Sequence, residues 1–161
     1  MYLAFRNEKR NQERFDDQLK QSQEVACANL KPLLTIHTQT YVDSKGVSLI
    51  NGGIGTAVIT DIKFEKGKST TNSLVDLFDL DNDFNWDTYW RFSGNNYYLR
   101  AGDKYQLVKL TIRNLIDQGW SNNESKEILL RWQDQKTGVR ICVKYSDILG
   151  NTMETYCQTL K

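Results

Sequence analysis

The feature that most constrains the fold is an alternating apolar stretch, Val47 to Phe64, which is broken in the middle by glycines. Side chains of a β-strand point to opposite faces in turn, so this alternation predicts two strands that each bury one face. The first face carries Val47 and Leu49, and the second carries Val58, Thr60, Ile62 and Phe64. The segment Asn51-Gly52-Gly53-Ile54-Gly55 is predicted to be a sharp hairpin between them, because asparagine and glycine tolerate positive φ. The pattern indicates a small antiparallel β domain.

The same two-residue period recurs along the chain. Strands are predicted at 34–38, 46–51, 56–65, 105–112, 127–133, 139–145 and 153–160. The last two form a hairpin in which Tyr145 opposes Met153, a register that places Cys142 and Cys157 on opposite faces. A short helix with a capping box is predicted after Ser73. The predicted fold class is mainly β: an immunoglobulin-like antiparallel β-sandwich of seven or more strands, preceded by one N-terminal helix.

Residues 4–30 contain no glycine or proline and are rich in helix-forming residues, so they predict the N-terminal helix. Pro32 ends it, because the residue before a proline avoids the α region. Phe15 and Leu19 are the large apolar residues on a heptad-like stripe. Three interpretations stay open: a solvated stalk, a weak coiled coil, or a helix that lies on the domain through these two side chains. The predicted domains are a juxtamembrane-type helix over 1–31 and a β-sandwich over 32–161.

The charges of the chain nearly cancel. Its 21 Lys and Arg residues against 20 Asp and Glu residues give a formal net charge of +1. Such a balance creates no field that would attract a polyanion, so no nucleic-acid partner is expected.

The three cysteines, Cys27, Cys142 and Cys157, are too sparse for a disulfide framework. Free buried thiols are favoured, because cysteine is among the most buried residue types. A single bridge between Cys142 and Cys157 stays open as the alternative, since they lie on neighbouring predicted strands.

The N-terminus combines an apolar start with basic residues. Met1–Phe5 are apolar, and four basic residues follow closely: Arg6, Lys9, Arg10 and Arg14. This pattern resembles the last turn of a membrane helix that begins upstream of Met1, and the alternative is an ordinary frayed chain end. With such a helix, the basic cluster favours the cytoplasmic face of the membrane, although Glu8 and Glu13 lie within it.

No catalytic residue, cofactor or metal site is predicted, and the chain is expected not to be an enzyme. Gly53-Ile54-Gly55 begins like a dinucleotide-binding fingerprint but leads into a strand and lacks the third glycine. Asp79, Asp81 and Asp83 match the first ligands of a calcium loop, but the glycine and the bidentate carboxylate that should follow are missing. An acidic solvated loop is favoured there over a looser calcium site. The single histidine, His37, is predicted to point outward from its strand.

The aromatic segment 84–98 is the best candidate for a functional surface. Exposed aromatic side chains can stack on sugar rings or anchor a protein partner. The candidate ligand or partner surface comprises Trp86, Tyr89, Trp90 and Tyr97. The alternative is that these aromatic side chains close the open end or side of the sandwich, since large aromatics usually serve the core first.

Four stretches of the chain carry a resemblance to a known group: Lys31-Pro32-Leu33, Leu49–Ile59, Leu99–Leu107 and Val143–Asn151. With them the chain resembles uncharacterised bacterial membrane-anchored proteins that have an N-terminal membrane helix, a charged juxtamembrane helix and an immunoglobulin-like sandwich. The resemblance implies membrane attachment through a segment preceding Met1 and no catalytic residues.

The expected function is a non-enzymatic, membrane-tethered interaction or sensory domain, with another protein as the expected partner. The alternative is a carbohydrate- or small-ligand-binding module that uses the aromatic segment 84–98. Neither expectation includes a cofactor, and the oligomeric state stays open.

Overall fold

The structure is a computed structural model that describes residues 12–23, 25, 30–78 and 96–161. Residues 12–23 form the N-terminal helix, α1, whose described side chains are all exposed. Phe15 and Leu19 are 61% and 50% exposed. This exposure agrees with a stalk or a coiled coil, and not with a helix laid on the domain through these two side chains.

Eight strands in the described residues form two antiparallel sheets. The first sheet has the order β1-β2-β6, with β1 at Leu34–Thr40, β2 at Ser44–Asn51 and β6 at Lys104–Thr111. In the second sheet, β3 (Ala57–Lys66) pairs on one side with β7 (Arg140–Asp147), which in turn pairs with β8 (Tyr156–Thr159). The other side of β3 pairs with β4 (Ser69–Thr71) and β5 (Tyr97–Leu99). The predicted mainly β class with one N-terminal helix is confirmed.

The inner faces of both sheets meet in one hydrophobic core. Leu49 and Leu107 contribute to it from the first sheet. Ile62 and Val143 contribute from the second, and all four side chains are at most 4% exposed. Burial of such a side chain stabilises the fold by about 1.5–3 kcal/mol. Alternation in the sequence therefore predicted Leu49, Ile62 and Phe64 as buried correctly. The predicted burial of Thr60 is wrong: Thr60 is exposed and Ile59 is buried, because the pairing of β3 with β7 shifts between Ile59 and Asp61.

Two helices follow β6, namely α2 at Ile112–Asp117 and α3 at Asn122–Lys136. The strand predicted at 127–133 is wrong, because these residues lie within α3. A short apolar run fits a buried strand and a buried helix equally well. The local signal for a helix is the capping box, in which the side chains of Ser121 and Glu124 each accept from the other's N–H. The buried residues of α3 then recur at helical spacing: Ser125, Ile128, Leu129, Trp132 and Lys136.

The short helix predicted after Ser73 is a single 3-10 turn, Leu74–Leu77. The predicted capping box is wrong, because Ser73 makes no side-chain bond to the turn. The Asp76 carboxylate instead accepts a hydrogen bond from the Thr71 hydroxyl at 2.9 Å. Leu74 is 1% exposed, so the turn adds an apolar side chain to the core.

The glycine-rich segment after β2 crosses from one sheet to the other. β2 pairs with β1 and β6, whereas β3 pairs with β4, β5 and β7. The hairpin predicted at 51–55 is therefore wrong, although the bend is sharp. Positive φ is not the reason for its glycines either, since the described glycines with positive φ lie elsewhere: Gly67, Gly102, Gly119, Gly138 and Gly150.

Strands β7 and β8 carry the disulfide of the described residues. Cys142 lies directly opposite Cys157, with 4.2 Å between the Cα atoms, and the two sulfurs are bonded. Near the turn, the Met153 N–H donates to the Tyr145 carbonyl at 3.0 Å, as in the predicted register. The register of the two strands shifts by one residue before β8, so that Cys142 pairs with Cys157. A one-residue shift reverses every face. The predicted opposite faces of Cys142 and Cys157, and with them the preference for free thiols, are wrong.

Candidate functional site

The chain segment between α1 and β1, residues 30–33, is hydrogen-bonded into the domain. The Gly52 N–H donates to the Leu33 carbonyl at 2.8 Å, and the Gly55 N–H donates to the Lys31 carbonyl at 3.5 Å. The Leu33 N–H donates to the side-chain oxygen of Asn51 at 3.1 Å. We call residues 30–33 the linker and these contacts the linker clamp.

Asn51 is the centre of the clamp. Its side chain is 0% exposed, and both of its amide hydrogens are used: the nitrogen donates to the carbonyls of Gly55 at 2.6 Å and Leu99 at 2.9 Å. Its oxygen accepts from the N–H groups of Leu33 at 3.1 Å and Gly53 at 3.0 Å. A buried amide with all its bonds made can hold several segments in one arrangement. Asn51 thus joins the linker, the sheet crossing and β5.

Two glycines of the crossing allow the linker to lie against it. A Cβ atom at Gly55 would stand 1.4 Å from the Leu30 carbonyl oxygen, and one at Gly53 would stand 2.4 Å from the Leu33 nitrogen. Neither distance is compatible with a side chain, and both obstacles are backbone atoms. Close backbone approach is therefore the reason for glycine at these positions.

We expect Gly55→Ala to lower the free energy of unfolding by about 2 kcal/mol, the usual cost of overpacking. The loss stays moderate because the linker can detach from the crossing and leave the core intact. Urea unfolding measures the loss, and hydrogen exchange should show the Leu33 and Gly55 amides losing protection.

Gly52→Ala is the matched control, since a Cβ atom there would lie 3.8 Å from the Leu33 carbonyl oxygen, an ordinary contact. It should leave stability within about 0.5 kcal/mol of the original. Equal stability of the Gly52 and Gly55 variants would contradict the clamp.

The two connections that form the linker clamp lie at the same end of the domain as two turns. Ala57 at the start of β3 pairs with Leu99 at the end of β5 and with Asp147 at the end of β7. Leu34 at the start of β1 pairs with Asn51 at the end of β2. This end therefore gathers the linker 30–33, the crossing 52–56, the turn 100–103 and the turn 147–151.

Large aliphatic side chains are exposed on these connections. They are Leu33 at 63%, Ile54 at 73%, Ile148 at 61% and Leu149 at 61% exposed, and we call these four residues the apolar end. Single exposed aliphatic residues are common on protein surfaces, but a group of them at one end is informative. The group comes from three segments far apart in the chain, so only the fold brings it together.

The turn that carries Ile148 and Leu149 is held in shape by a buried carboxylate. Asp147 is 7% exposed and accepts from the N–H groups of Leu149 at 2.9 Å and Asn151 at 2.8 Å. The Asn151 side chain adds a third bond at 2.7 Å. This side-chain bond, supported by the backbone bonds and opposed by burial, lowers the pKa of Asp147 below the ordinary aspartate value. The two aliphatic side chains are thus displayed on an ordered turn.

We expect this turn to loosen in acid. A carboxyl whose pKa is lower in the folded state contributes stability that is fully present above the unfolded pKa of about 3.9. That contribution is lost as pH falls through the lower folded-state pKa of Asp147. The chemical shifts of the Asn151 side-chain amide should report this titration. In Asp147→Asn the same shifts should not titrate, and a titration midpoint at or above the unfolded value of about 3.9 in the original protein would refute the assignment.

Of the four aromatic candidates, Tyr97 lies within the described residues, whereas Trp86, Tyr89 and Trp90 lie outside them. Tyr97 is on β5 and is 37% exposed, with its ring centroid 4.4 Å from that of Tyr105. Burial, and then the neighbouring Tyr97, raise the pKa of Tyr105. Tyr98 is 59% exposed. One part of the Tyr97 side chain therefore packs on Tyr105 and another part is exposed. This placement lies between the two predictions, a ligand or partner surface and a side chain that closes the sandwich.

The other sequence candidates contribute no site to the described structure. His37 is exposed on β1, as predicted. Asp79, Asp81 and Asp83 lie outside the described residues, and within those residues no three His, Cys, Asp or Glu side chains are placed to hold a metal ion. In the same part of the chain, no helix combines the length and the apolar character that crossing a membrane requires.

Sequence reasoning missed both Asn51 as a structural centre and the apolar end. The sequence showed Asn51 only as part of a glycine-rich bend. The four hydrogen-bond partners of its side chain lie up to 48 residues away along the chain, so no local pattern indicates them. Comparison with known proteins adds no guide, since no family model, curated protein or solved structure matches the chain.

Proposed function

We propose that this chain is a non-enzymatic interaction or sensory domain, tethered to a membrane by a segment that precedes Met1. The observation that supports it best is the linker clamp. The described side chains of α1 are exposed, yet the linker that follows is bonded at Lys31 and Leu33 to the crossing between the sheets.

The clamp suits a tethered domain because it restricts rotation of the linker relative to the domain. Three hydrogen bonds, two to linker carbonyls and one from the Leu33 N–H, fix the direction in which the linker leaves the domain. A displacement of the linker at Leu33 is then passed to Asn51 and, through it, to β5 at Leu99. Such coupling is what a sensory or partner-binding domain at the end of a stalk requires.

The domain itself is proposed to be an immunoglobulin-like sandwich. Two antiparallel sheets that share one core support this assignment. Sandwiches of this kind commonly bind protein partners through loops at their ends, and the expected partner is another protein.

We further propose that the domain faces an oxidising compartment. The N-terminal basic cluster favours the cytoplasmic face, but the Cys142–Cys157 disulfide favours the opposite side. Structural disulfides are rare where glutathione and thioredoxin keep thiols reduced. A bond between directly opposed strand residues is the more specific of the two signals.

Fractionation of the natural gene product, expressed with its own upstream sequence, tests the tether. It should sediment with membranes and resist washing with alkaline carbonate, which strips peripheral proteins. The 161-residue chain that starts at Met1 is the control and should be released by the same wash. Full-length product in the soluble fraction would overturn the proposal.

The alternative function is binding of a carbohydrate or another small ligand. Its support is the exposed part of Tyr97, whose ring is fixed against Tyr105 and could stack on a sugar. A glycan panel followed by tryptophan and tyrosine fluorescence tests it, with Tyr97→Ala as the variant and Tyr41→Ala, an exposed tyrosine outside the aromatic segment, as the control. Without a fluorescence change that depends on Tyr97, this candidate falls.

A further inference from the structure

We infer that the Cys142–Cys157 disulfide is a reversible covalent attachment site for small thiols of the glutathione class. In this exchange, the thiolate of the ligand attacks the Cys157 sulfur and releases the Cys142 thiolate. The inference goes beyond the proposed function and does not depend on the tether.

The first argument is the place of the disulfide on the second sheet. Ile141 and Val143, the neighbours of Cys142 along β7, are buried in the core. Because side chains alternate along a strand, Cys142 points to the outer face of the sheet. Both Cys142 and Cys157 are partly exposed. A thiol in solution can therefore reach the disulfide while the core stays intact.

The second argument is the direction from which a thiolate can attack. The incoming sulfur must approach in line with the bond that breaks, and access decides which sulfur is attacked. The disulfide joins β7 to β8, so its axis runs from one strand to the other. Beyond Cys142 lies β3, which pairs with β7, whereas no strand of the described residues pairs with the other side of β8. The in-line path is therefore open at Cys157 and obstructed at Cys142.

The third argument is the charge beside the leaving sulfur. Lys63 on β3 lies directly opposite Cys142, so the two side chains are neighbours on the outer face. An ammonium group beside a cysteine favours its thiolate form. A thiol that ionises readily is the faster leaving group in exchange. Lys63 thus favours release of Cys142, the same sulfur that the in-line path selects.

The acidic residues on this face are matched by other basic residues. Glu65 lies opposite Arg140, and their charged groups are 3.9 Å apart. Asp61 lies opposite Lys144 in the same register. The row of residues across the sheet that contains both cysteines begins at Lys63 and holds no acidic side chain among its three members.

The exchange conserves atoms and electrons. The ligand sulfur forms a bond with the Cys157 sulfur while the bond between Cys142 and Cys157 breaks. The electron pair of the broken bond leaves on the Cys142 sulfur, which exchanges its proton with water. One disulfide replaces another, so no further oxidant or reductant is consumed. Attack of Cys142 on Cys157 reverses the step and releases the ligand.

The test is reaction of the folded 161-residue chain with reduced glutathione, stopped at short times with excess N-ethylmaleimide. All forms carry Cys27→Ser, which removes the third cysteine from the reaction. Peptide mapping by mass spectrometry locates the glutathione and the alkylated thiol. We expect glutathione on Cys157 and N-ethylmaleimide on Cys142, in about tenfold excess over the reverse arrangement.

Lys63→Gln tests the leaving thiolate, and Lys68→Gln is its matched control, because Lys68 is exposed in the turn between β3 and β4. Both variants lose one positive charge, so any general attraction of anionic glutathione falls equally. We expect the disulfide to open about fivefold more slowly in Lys63→Gln than in Lys68→Gln at low ionic strength. The difference should persist with uncharged 2-mercaptoethanol and should shrink at high salt.

Three results would overturn the inference. Glutathione on Cys142, or on both cysteines equally, would contradict the direction of attack. Equal rates for the two glutamine variants would contradict the effect of Lys63 on the leaving thiolate. Opening of the disulfide only in urea that unfolds the domain would make it a structural cross-link alone. None of these results touches the carbonate test, so a failure here and a failure of the tether are distinguishable.

Discussion

Asn51→Asp is expected to lower the free energy of unfolding by about 4 kcal/mol, the largest effect of any single substitution that we predict. The substitution keeps the size of the side chain but replaces the amide nitrogen with an oxygen. That oxygen would face the carbonyl oxygens of Gly55 and Leu99, which now accept hydrogen bonds at 2.6 and 2.9 Å. Two buried acceptors would lose their donor, and a charge would be buried without a counter-charge.

Urea unfolding at neutral and acidic pH measures this effect. The loss should be smaller in acid, because a protonated carboxyl can donate one of the two lost hydrogen bonds. Hydrogen exchange should also show reduced protection for the Leu33 and Gly53 amides, which donate to the side-chain oxygen of residue 51.

Asn122→Asp is the matched control. Asn122 is exposed at the first position of α3, where a carboxylate favours the helix dipole, so stability should change by less than about 0.5 kcal/mol. Equal midpoints for the two variants would mean that Asn51 does not join the linker, the crossing and β5.

Loss of the Cys142–Cys157 disulfide is expected to cost about 3 kcal/mol of unfolding free energy. The bond closes a loop with a sequence separation of 15, and cross-links of that length restrict the unfolded chain by about this amount. Urea unfolding with and without a reducing agent measures the loss. The core residues Ile141 and Val143 flank Cys142 and should stay buried, so the reduced domain should remain folded at low urea.

The double variant Cys142→Ala, Cys157→Ala provides the control, because its midpoint should not respond to the reducing agent. Alkylation before and after reduction counts the bonded thiols by mass. Alkylation of both Cys142 and Cys157 in the unreduced protein would show that the bond is absent, and it would also remove the support for an oxidising compartment.

Six of the eight described strands were predictable, because each follows from residues next to one another, whereas the three-residue strands β4 and β5 were not predicted. Leu49 and Ile62 were assigned to buried faces by alternation alone, and they share one core. The one predicted strand that is wrong failed for a local reason. Residues 127–133 carry a short apolar run without a clear period, and the decisive signal, the capping box at Ser121 and Glu124, lies just before the run.

Pairing was less predictable than the strands themselves. The segment after Asn51 looks like a hairpin because two alternating strands flank a glycine-rich bend, yet β2 and β3 belong to different sheets. The choice depends on which other strands compete for each edge, which no local pattern records. The one-residue shift before β8 has the same origin, and it decides whether Cys142 meets Cys157.

By itself, the sequence determined the mainly β class, the N-terminal helix, the buried faces of most strands and the outward position of His37, because each depends on period and propensity over a few residues. Tertiary structure alone decided the linker clamp, the disulfide and the apolar end. Each of these depends on contacts between residues far apart in the chain, such as Asn51 with Leu99, or Ala57 with Asp147. Such contacts form only when the competing pairings of all strands are resolved together.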